Sequence, residues 1–269
     1  MKILFVTTIS NTVNAFLIPH IKMLIEQGHN VDVAFNPVQE PDHDLIRLGC
    51  KIHEIPFQRS PMDLSNQVAY KKLKNIILSE KYDLVHTHTP VASACVRLAC
   101  RKEKNVKVFY TAHGFHFYKG APLINWLLYY PVERWLAKYT HVLITINKED
   151  YHRAKKRFNS KRVEYIPGIG LDTLKYSNQK VDKVLKRAEL GIPENSFVVL
   201  SVGELNKNKN HEIILKAIAK LKRKDIYYVI CGQGELENYL IDLSRKLGIH
   251  NQFKLLGYRN DVSEICKIS

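Results

Sequence analysis

Along the chain, short runs of β-branched and other apolar residues alternate with stretches whose apolar positions recur every three or four residues. The runs at residues 3–8, 31–35, 84–88, 106–111, 142–146 and 163–166 read as buried strands. Helical spacing covers 18–26, 66–80, 91–102, 123–139 and 149–158 between them. Gly28, just past the first of these, suits a helix-capping glycine. Alternation of this kind implies right-handed crossovers and a parallel sheet covered by helices on both faces.

The pattern breaks at Pro167-Gly168-Ile169-Gly170-Leu171-Asp172 and passes through a polar stretch to Gln179. It then restarts, with strands at 197–202, 226–231 and 253–256, helices at 212–221 and 236–247, and a further helix from Asp261. This predicts a first Rossmann-like domain over 1–170, a hinge over 171–178 and a second Rossmann-like domain over 179–269. Doubly wound sheets usually carry about five or six strands. The second domain is therefore expected to be incomplete, with an unpaired strand near 253–256 or 226–231.

Composition narrows the class. The 269 residues are 45% hydrophobic and 25% charged, enough for an ordinary buried core. Lys and Arg outnumber Asp and Glu by 41 to 26, a net charge of +15. Short basic clusters such as Lys155-Lys156-Arg157 fit solvated helix faces, yet their sum draws the chain toward something anionic. Nucleic acid is not expected, because the charge comes without a recognition motif. Five scattered cysteines with no CxxC pair argue against a disulfide framework and against zinc, and fit a reducing cytoplasm. The apolar run at the N-terminus is too short for a signal peptide. No stretch approaches the roughly 20 apolar residues of a membrane span, so any membrane contact is expected to be peripheral.

In parallel sheets of this type ligands bind at the carboxyl ends of strands. The first strand runs into Ser10-Asn11-Thr12-Val13-Asn14, a polar stretch ahead of a helix that suits an anion or hydroxyl groups. It equally suits a plain polar loop with a helix cap. The strand at 84–88 ends in His86-Thr87-His88, whose two imidazoles share a face. They read as polar cleft lining or as buried hydrogen-bonded histidines, with no third ligand near enough to suggest a metal. The next strand runs into His113-Gly114, which puts an imidazole at a turn and, taken by itself, reads as a structural histidine. In the second half, Gly203 ends a strand and Lys207 and Lys209 precede a helix, an arrangement suited to a diphosphate. Gly232-Gln233-Gly234-Glu235 suits a phosphate or ribose contact.

These segments occur in a family order. Residues 83–90 (DLVHTHTP), 111–120 (TAHGFHFYKG), 166–172 (IPGIGLD), 201–205 (SVGEL), 232–235 (GQGE) and 256–262 (LGYRNDV) together resemble the family 4 retaining glycosyltransferases, within them the bacterial capsule and exopolysaccharide subgroup. The resemblance implies an α/β GT-B fold, with the acceptor bound by the N-terminal domain, the nucleotide-sugar donor by the C-terminal domain and catalysis between them. It implies that His113 lies against the donor sugar and that Lys209 sits on the donor diphosphate, with Gly203, Lys207, Gly232, Gly234 and Glu235 around the donor. Ser10, Asn11, Thr12, Asn14, His86, His88 and Gly114 would line the acceptor side. It implies no cofactor and no essential metal, with a nucleotide-sugar co-substrate, UDP-linked. Where many members carry arginine after the strand-end glycine, this chain has Glu204, and Lys207 is expected to compensate. The family's acidic E-x7-E segment matches no residue here, so the chain is expected to be truncated.

The first functional expectation is thus transfer of a sugar to a lipid-linked glycan acceptor, in the cytoplasm at the inner face of the membrane, with anionic lipid as a partner. The second is a non-catalytic or half-enzyme fragment that binds acceptor and needs a separate C-terminal-domain chain, or an inactive product of a truncated gene. A sugar-nucleotide epimerase shares the fold and is the remaining alternative.

Overall fold

The computed structural model describes residues 1–171 and 173–269, Lys175 by its backbone alone. Asp172, which ends the expected hinge motif, lies outside the described residues. The chain divides into two compact units, Met1–Gly170 and Leu171–Ser269.

The first unit is built on a parallel sheet of seven strands among the described residues: β1 (Lys2–Ile9), β2 (Asn30–Asn36), β3 (Ile52–Glu54), β4 (Leu84–His88), β5 (Lys107–Ala112), β6 (Val142–Thr145) and β7 (Arg162–Tyr165). Their order is β3-β2-β1-β4-β5-β6-β7. The order reverses between β1 and β4, which pair in parallel with Val6 opposite Thr87. Helices α1 (Ile18–Glu26), α2 (Ser65–Glu80), α3 (Pro90–Ala99), α4 (Leu123–Leu136) and α5 (Lys148–Arg157) cover the sheet. One face packs Leu4, Val6 and Val85 against Leu73 and Ile77 of α2 and Val96 of α3. The other packs Ile3, Phe5 and Val33 against Val13, Leu17 and Ile21. Burial on both faces is why the central part of β1, Ile3 to Val6, reads as an apolar run without alternation.

Helix α4 shows the opposite economy. Trp126, Tyr129 and Tyr130 pack inward on Phe115, Phe117 and Phe158. On its far face Leu123 (81% exposed), Ile124, Leu127 (71%), Leu128, Val132 and Trp135 lie in solvent. Their spacing puts all six on one stripe of the helix.

The second unit holds a parallel three-stranded sheet among the described residues, in the order β10 (Phe253–Leu255), β9 (Ile226–Cys231), β8 (Phe197–Val202). The stretch 226–231, expected as a candidate edge, is the central strand, paired on both sides. Helices α6 (Lys183–Glu189), α7 (His211–Leu221), α8 (Glu237–Lys246) and α9 (Val262–Ile265) belong to this unit. The Lys186 ammonium binds Glu189 at 3.1 Å, Asp261 at 2.5 Å and Glu264 at 2.9 Å, tying α6 to the segment that leads into α9. The expected polar linker contains a short helix, Thr173–Ser177, whose Ser177 carbonyl accepts from Lys267 Nζ at 3.0 Å.

Candidate active site

The reversal of strand order between β1 and β4 opens a crevice at their carboxyl ends, where sheets of this class bind ligands. Thr8 and Thr89 bridge it. The Thr8 amide donates to Thr89 Oγ1 at 3.0 Å, and the two hydroxyls lie 2.7 Å apart. Thr89 holds φ at 65°, a left-handed conformation costly for a β-branched residue. The strain brings Pro90 directly into the first turn of α3. Beside this bridge lies a cavity of about 480 Å³, walled by Ile9, Pro90, Val91, Tyr129 and Val132, with Arg59, Asn66 and His116 at its edge. Of these last three, Arg59 and Asn66 belong to no motif read from the sequence, while His116 falls within the 111–120 segment. Arg59 stands in an irregular segment, and only the stacking of His116 on Tyr129, at 4.7 Å between ring centres, links the 111–120 loop to this cavity.

The stretch Ser10–Asn14 is not a loop. It is helical from Ser10, with a π-helical turn over Val13–Leu17 running into α1. Ser10 is buried, and its hydroxyl donates to the Gln39 carbonyl at 2.7 Å and accepts from the Gln39 amide at 2.9 Å. Asn14 donates to the Glu40 carbonyl and accepts from the Asp42 amide. These two side chains thus anchor the loop after β2. Thr12 lines the cavity, and Asn11 Oδ1 is buried without a partner among the described residues.

The histidines converge as the strand pairing requires. His88 on β4 lies opposite Thr111 on β5, so the residue two positions beyond Thr111 faces the same side. His88 Nδ1 lies 3.0 Å from His113 Nε2. His86 and His88 stack with ring centres 4.5 Å apart, Phe5 packs on both rings, and His86 Nε2 meets Thr111 Oγ1 at 2.8 Å. Burial lowers the His86 pKa to about 3, with His20 and His113 adding to the effect. Burial also pushes His88 well below its ordinary range, and the two neighbouring imidazoles add to it. Desolvation lowers His113 in the same direction. All three shifts favour the neutral ring. Among the described residues no group of three or more His, Cys, Asp or Glu side chains is arranged to hold a metal ion.

The loop that carries His113 is fixed from behind. Gly114 adopts φ 139°, a region glycine enters freely. The next amide, Phe115 N–H, donates to the buried Asp150 carboxylate at 2.9 Å. Asn147 caps α5 by accepting from the Asp150 amide and donates to the same carboxylate. Phe115 and Phe117 stack at 4.8 Å in the core, and Arg153 donates to the Phe117 carbonyl while covering Trp126. His113 therefore projects from a packed, hydrogen-bonded base.

In the second unit the glycines have a packing reason. A Cβ on Gly232 would fall 1.9 Å from the Gly203 carbonyl oxygen, and one on Gly234 would fall 2.6 Å from that of Leu205. Gly203 N–H to Cys231 O and Leu205 N–H to Gln233 O lace these two strand-end loops together, and Gly232 N–H to Gly257 O ties them to the loop after β10. Lys209 lays its aliphatic stem over Gly203, and its amide donates to Asn206 Oδ1 at 3.0 Å. Asn206 Nδ2 in turn donates to Glu204 at 3.0 Å. Lys207 and Lys209 are exposed, and Glu235 lies in the loop before α8. The structure thus gathers Gly203, Lys209, Gly232 and Gly234 at one end of the second sheet, and His86, His88 and His113 at the corresponding end of the first.

Residues 2–147 match the family described as glycosyl transferase 4-like, and residues 182–269 match the glycosyl transferases group 1. EpsD of Bacillus subtilis, itself described as a glycosyltransferase, is 40% identical over all of this chain and 71% of its own length. An Escherichia coli enzyme named as a UDP-Gal:alpha-D-GlcNAc-diphosphoundecaprenol alpha-1,3-galactosyltransferase is 34% identical over 74% of this chain, which spans 52% of that enzyme. The Anabaena protein HepE, solved with UDP and glucose, superposes with a TM-score of 0.77 at 19% identity, over all of this chain and 72% of HepE. That likeness shows a shared GT-B fold.

Proposed function

This chain belongs to the 4-like and group 1 glycosyltransferases, and we propose that it moves a sugar from a UDP-sugar to a lipid-diphosphate-linked glycan in the synthesis of a surface polysaccharide. The observation that carries the reading is the polar and apolar composition of the crevice at the strand-order reversal. Threonine hydroxyls and imidazoles suit a sugar, and the adjoining cavity is walled by apolar side chains. Relatives named for lipid-diphosphate acceptors support the choice of acceptor.

The chemistry asked of the residues is electrostatic. Lys209 and Lys207 receive the negative charge that builds on the departing diphosphate, the role a metal plays elsewhere. The Glu204 carboxylate is engaged by Asn206, which holds it in a local hydrogen bond. The acceptor hydroxyl forms its bond to the anomeric carbon as the sugar–phosphate bond breaks. Its proton passes to the leaving phosphate oxygen on the same face, so configuration is retained. His113 contacts the sugar during this exchange. The exposed apolar stripe of α4 and the net charge of +15 hold the protein peripherally on an anionic membrane, where lipid-linked acceptors reside. Among the described residues no helix is long and apolar enough to cross a membrane.

The test is transfer of radiolabelled sugar from UDP-sugars to a polyprenyl-diphosphate-linked acceptor in EDTA, with NMR of the anomeric proton. Transfer that Lys209→Ala lowers by about a hundredfold or more is expected. An inverted product, or transfer that EDTA abolishes, would overturn the mechanism.

A further inference from the structure

We propose that His88 is a positioning residue that fixes His113 in its Nδ1–H tautomer, so that His113 presents a hydrogen-bond donor to a substrate oxygen. The inference rests on the reading above, in which His113 contacts the sugar. Its physical basis is the hydrogen count of two facing imidazoles.

A neutral imidazole has one N–H and one bare nitrogen. The 3.0 Å contact between His88 Nδ1 and His113 Nε2 admits one shared hydrogen, placed in either of two ways. If His113 donated from Nε2, His88 would carry its own hydrogen on Nε2. That atom is buried and has no partner among the described residues, so a polar N–H would be stranded there. If His88 donates from Nδ1, its buried Nε2 is left with a lone pair alone. Stranded buried donors are rarer in folded proteins than under-used acceptors. The surroundings favour the second arrangement again, since Phe5 and His86 stack on the His88 ring and offer it no acceptor there.

With Nε2 of His113 occupied as an acceptor, its one hydrogen sits on Nδ1, and the residue as a whole remains exposed. The stack beneath keeps the geometry. Thr111 Oγ1 holds His86, and His86 supports the His88 ring. A donor fixed in this way does not remove a proton from the acceptor. It strengthens as charge gathers on the oxygen it faces, which places its effect in the transition state rather than in ground-state binding.

The experiment records the ring nitrogens of 15N-histidine-labelled protein by NMR and measures sugar transfer in parallel, for the unaltered chain, His88→Phe and His88→Asn. The asparagine amide can return an N–H close to where Nδ1–H stood. Expected is a His113 ring in the Nδ1–H form in the unaltered chain and in His88→Asn, and loss of that preference in His88→Phe. Transfer should follow: kcat falls about tenfold or more in His88→Phe while KM for the donor changes by less than about threefold, and His88→Asn recovers most of the loss. A His113 ring in the Nε2–H form in the unaltered chain overturns the inference. So does an unchanged kcat in His88→Phe. Absence of transfer by the unaltered chain would count against the functional reading alone, and the ring spectrum would then decide the tautomer by itself.

Discussion

Arg97 and Glu133 face each other across α3 and α4 as a two-pronged pair, with Arg97 Nη1 and Nη2 donating to the two carboxylate oxygens at 2.8 and 3.0 Å. The Arg97 side chain is 1% exposed, donates also to Ser93, and lies over the Tyr110 ring at 4.4 Å. Glu133 forms part of the cavity wall. One ion pair thus sets the position of α4 relative to the crevice.

Removing one partner should cost far more than removing both. Glu133→Ala leaves a guanidinium buried without its counter-ion and should destabilise the first unit by about 3–5 kcal/mol. The double change Arg97→Met with Glu133→Leu should recover most of that loss. Urea unfolding followed by tryptophan fluorescence reads this unit selectively, because both tryptophans of the chain, Trp126 and Trp135, lie on α4. Equal destabilisation by the single and double changes would refute the argument.

Acid should weaken the first unit before its carboxylates titrate. His86 is held neutral, its pKa lowered by burial from 6.5 to about 3, and His88 shifts the same way. The unfolded chain binds these protons from about pH 6.5 downward while the folded chain does not, so stability is full above that pH and is lost as pH falls toward 3. His86 should contribute a slope of about 1 kcal/mol per pH unit in that window, and His88 should add to it in the same direction. Urea midpoints between about pH 7 and 5 should fall accordingly, and should flatten in the double variant His86→Phe/His88→Phe.

The apolar stripe of α4 should govern membrane binding. Leu127→Glu with Leu128→Glu places two carboxylates on that exposed face. Co-sedimentation with anionic phospholipid vesicles should fall about tenfold or more in this variant, without loss of secondary structure. In the unaltered chain it should weaken with added salt, since screening limits charge attraction to about 8 Å at physiological ionic strength. Binding that ignores both the substitution and the salt would exclude this face.

Gly232→Ala should unfold or displace the strand-end loops of the second unit. Its new methyl group would meet backbone rather than a yielding side chain, at 1.9 Å from the Gly203 oxygen. Limited proteolysis should cut near residues 203–210 at least about tenfold faster, while the fluorescence of the first unit stays unchanged. Unaltered proteolysis would show that the loops can part without cost.

Strands were readable where β-branched and other apolar residues cluster; β1, β2, β4, β8 and β9 lie within a residue or two of expectation. Strand β3 was missed because Ile52, His53 and Glu54 give only three positions at the sheet edge. The helix Thr173–Ser177 lies in the stretch read as polar chain, and Lys183–Glu189 lies where no element was assigned. The second is stabilised by the Asp182 cap and by the long-range contact of Lys186 with Asp261, 75 positions away. His113 and the two histidines of β4 were visible one by one. Their contact was not, because it depends on the register of β4 against β5 and joins residues 25 positions apart.

The π-helical turn over Val13–Leu17 bears on how such a protein can diversify. A helix that leaves a strand at a fixed point advances its phase by about 100° for each residue, so one residue gained or lost rotates everything beyond it. A π turn absorbs such a change within itself. The lineage can therefore lengthen or shorten the lip of the crevice, where Thr12 stands, while Ile21 of α1 keeps its seat in the core. Single-residue insertions and deletions among related chains should accordingly concentrate between positions 10 and 17, and should be scarce between 18 and 26.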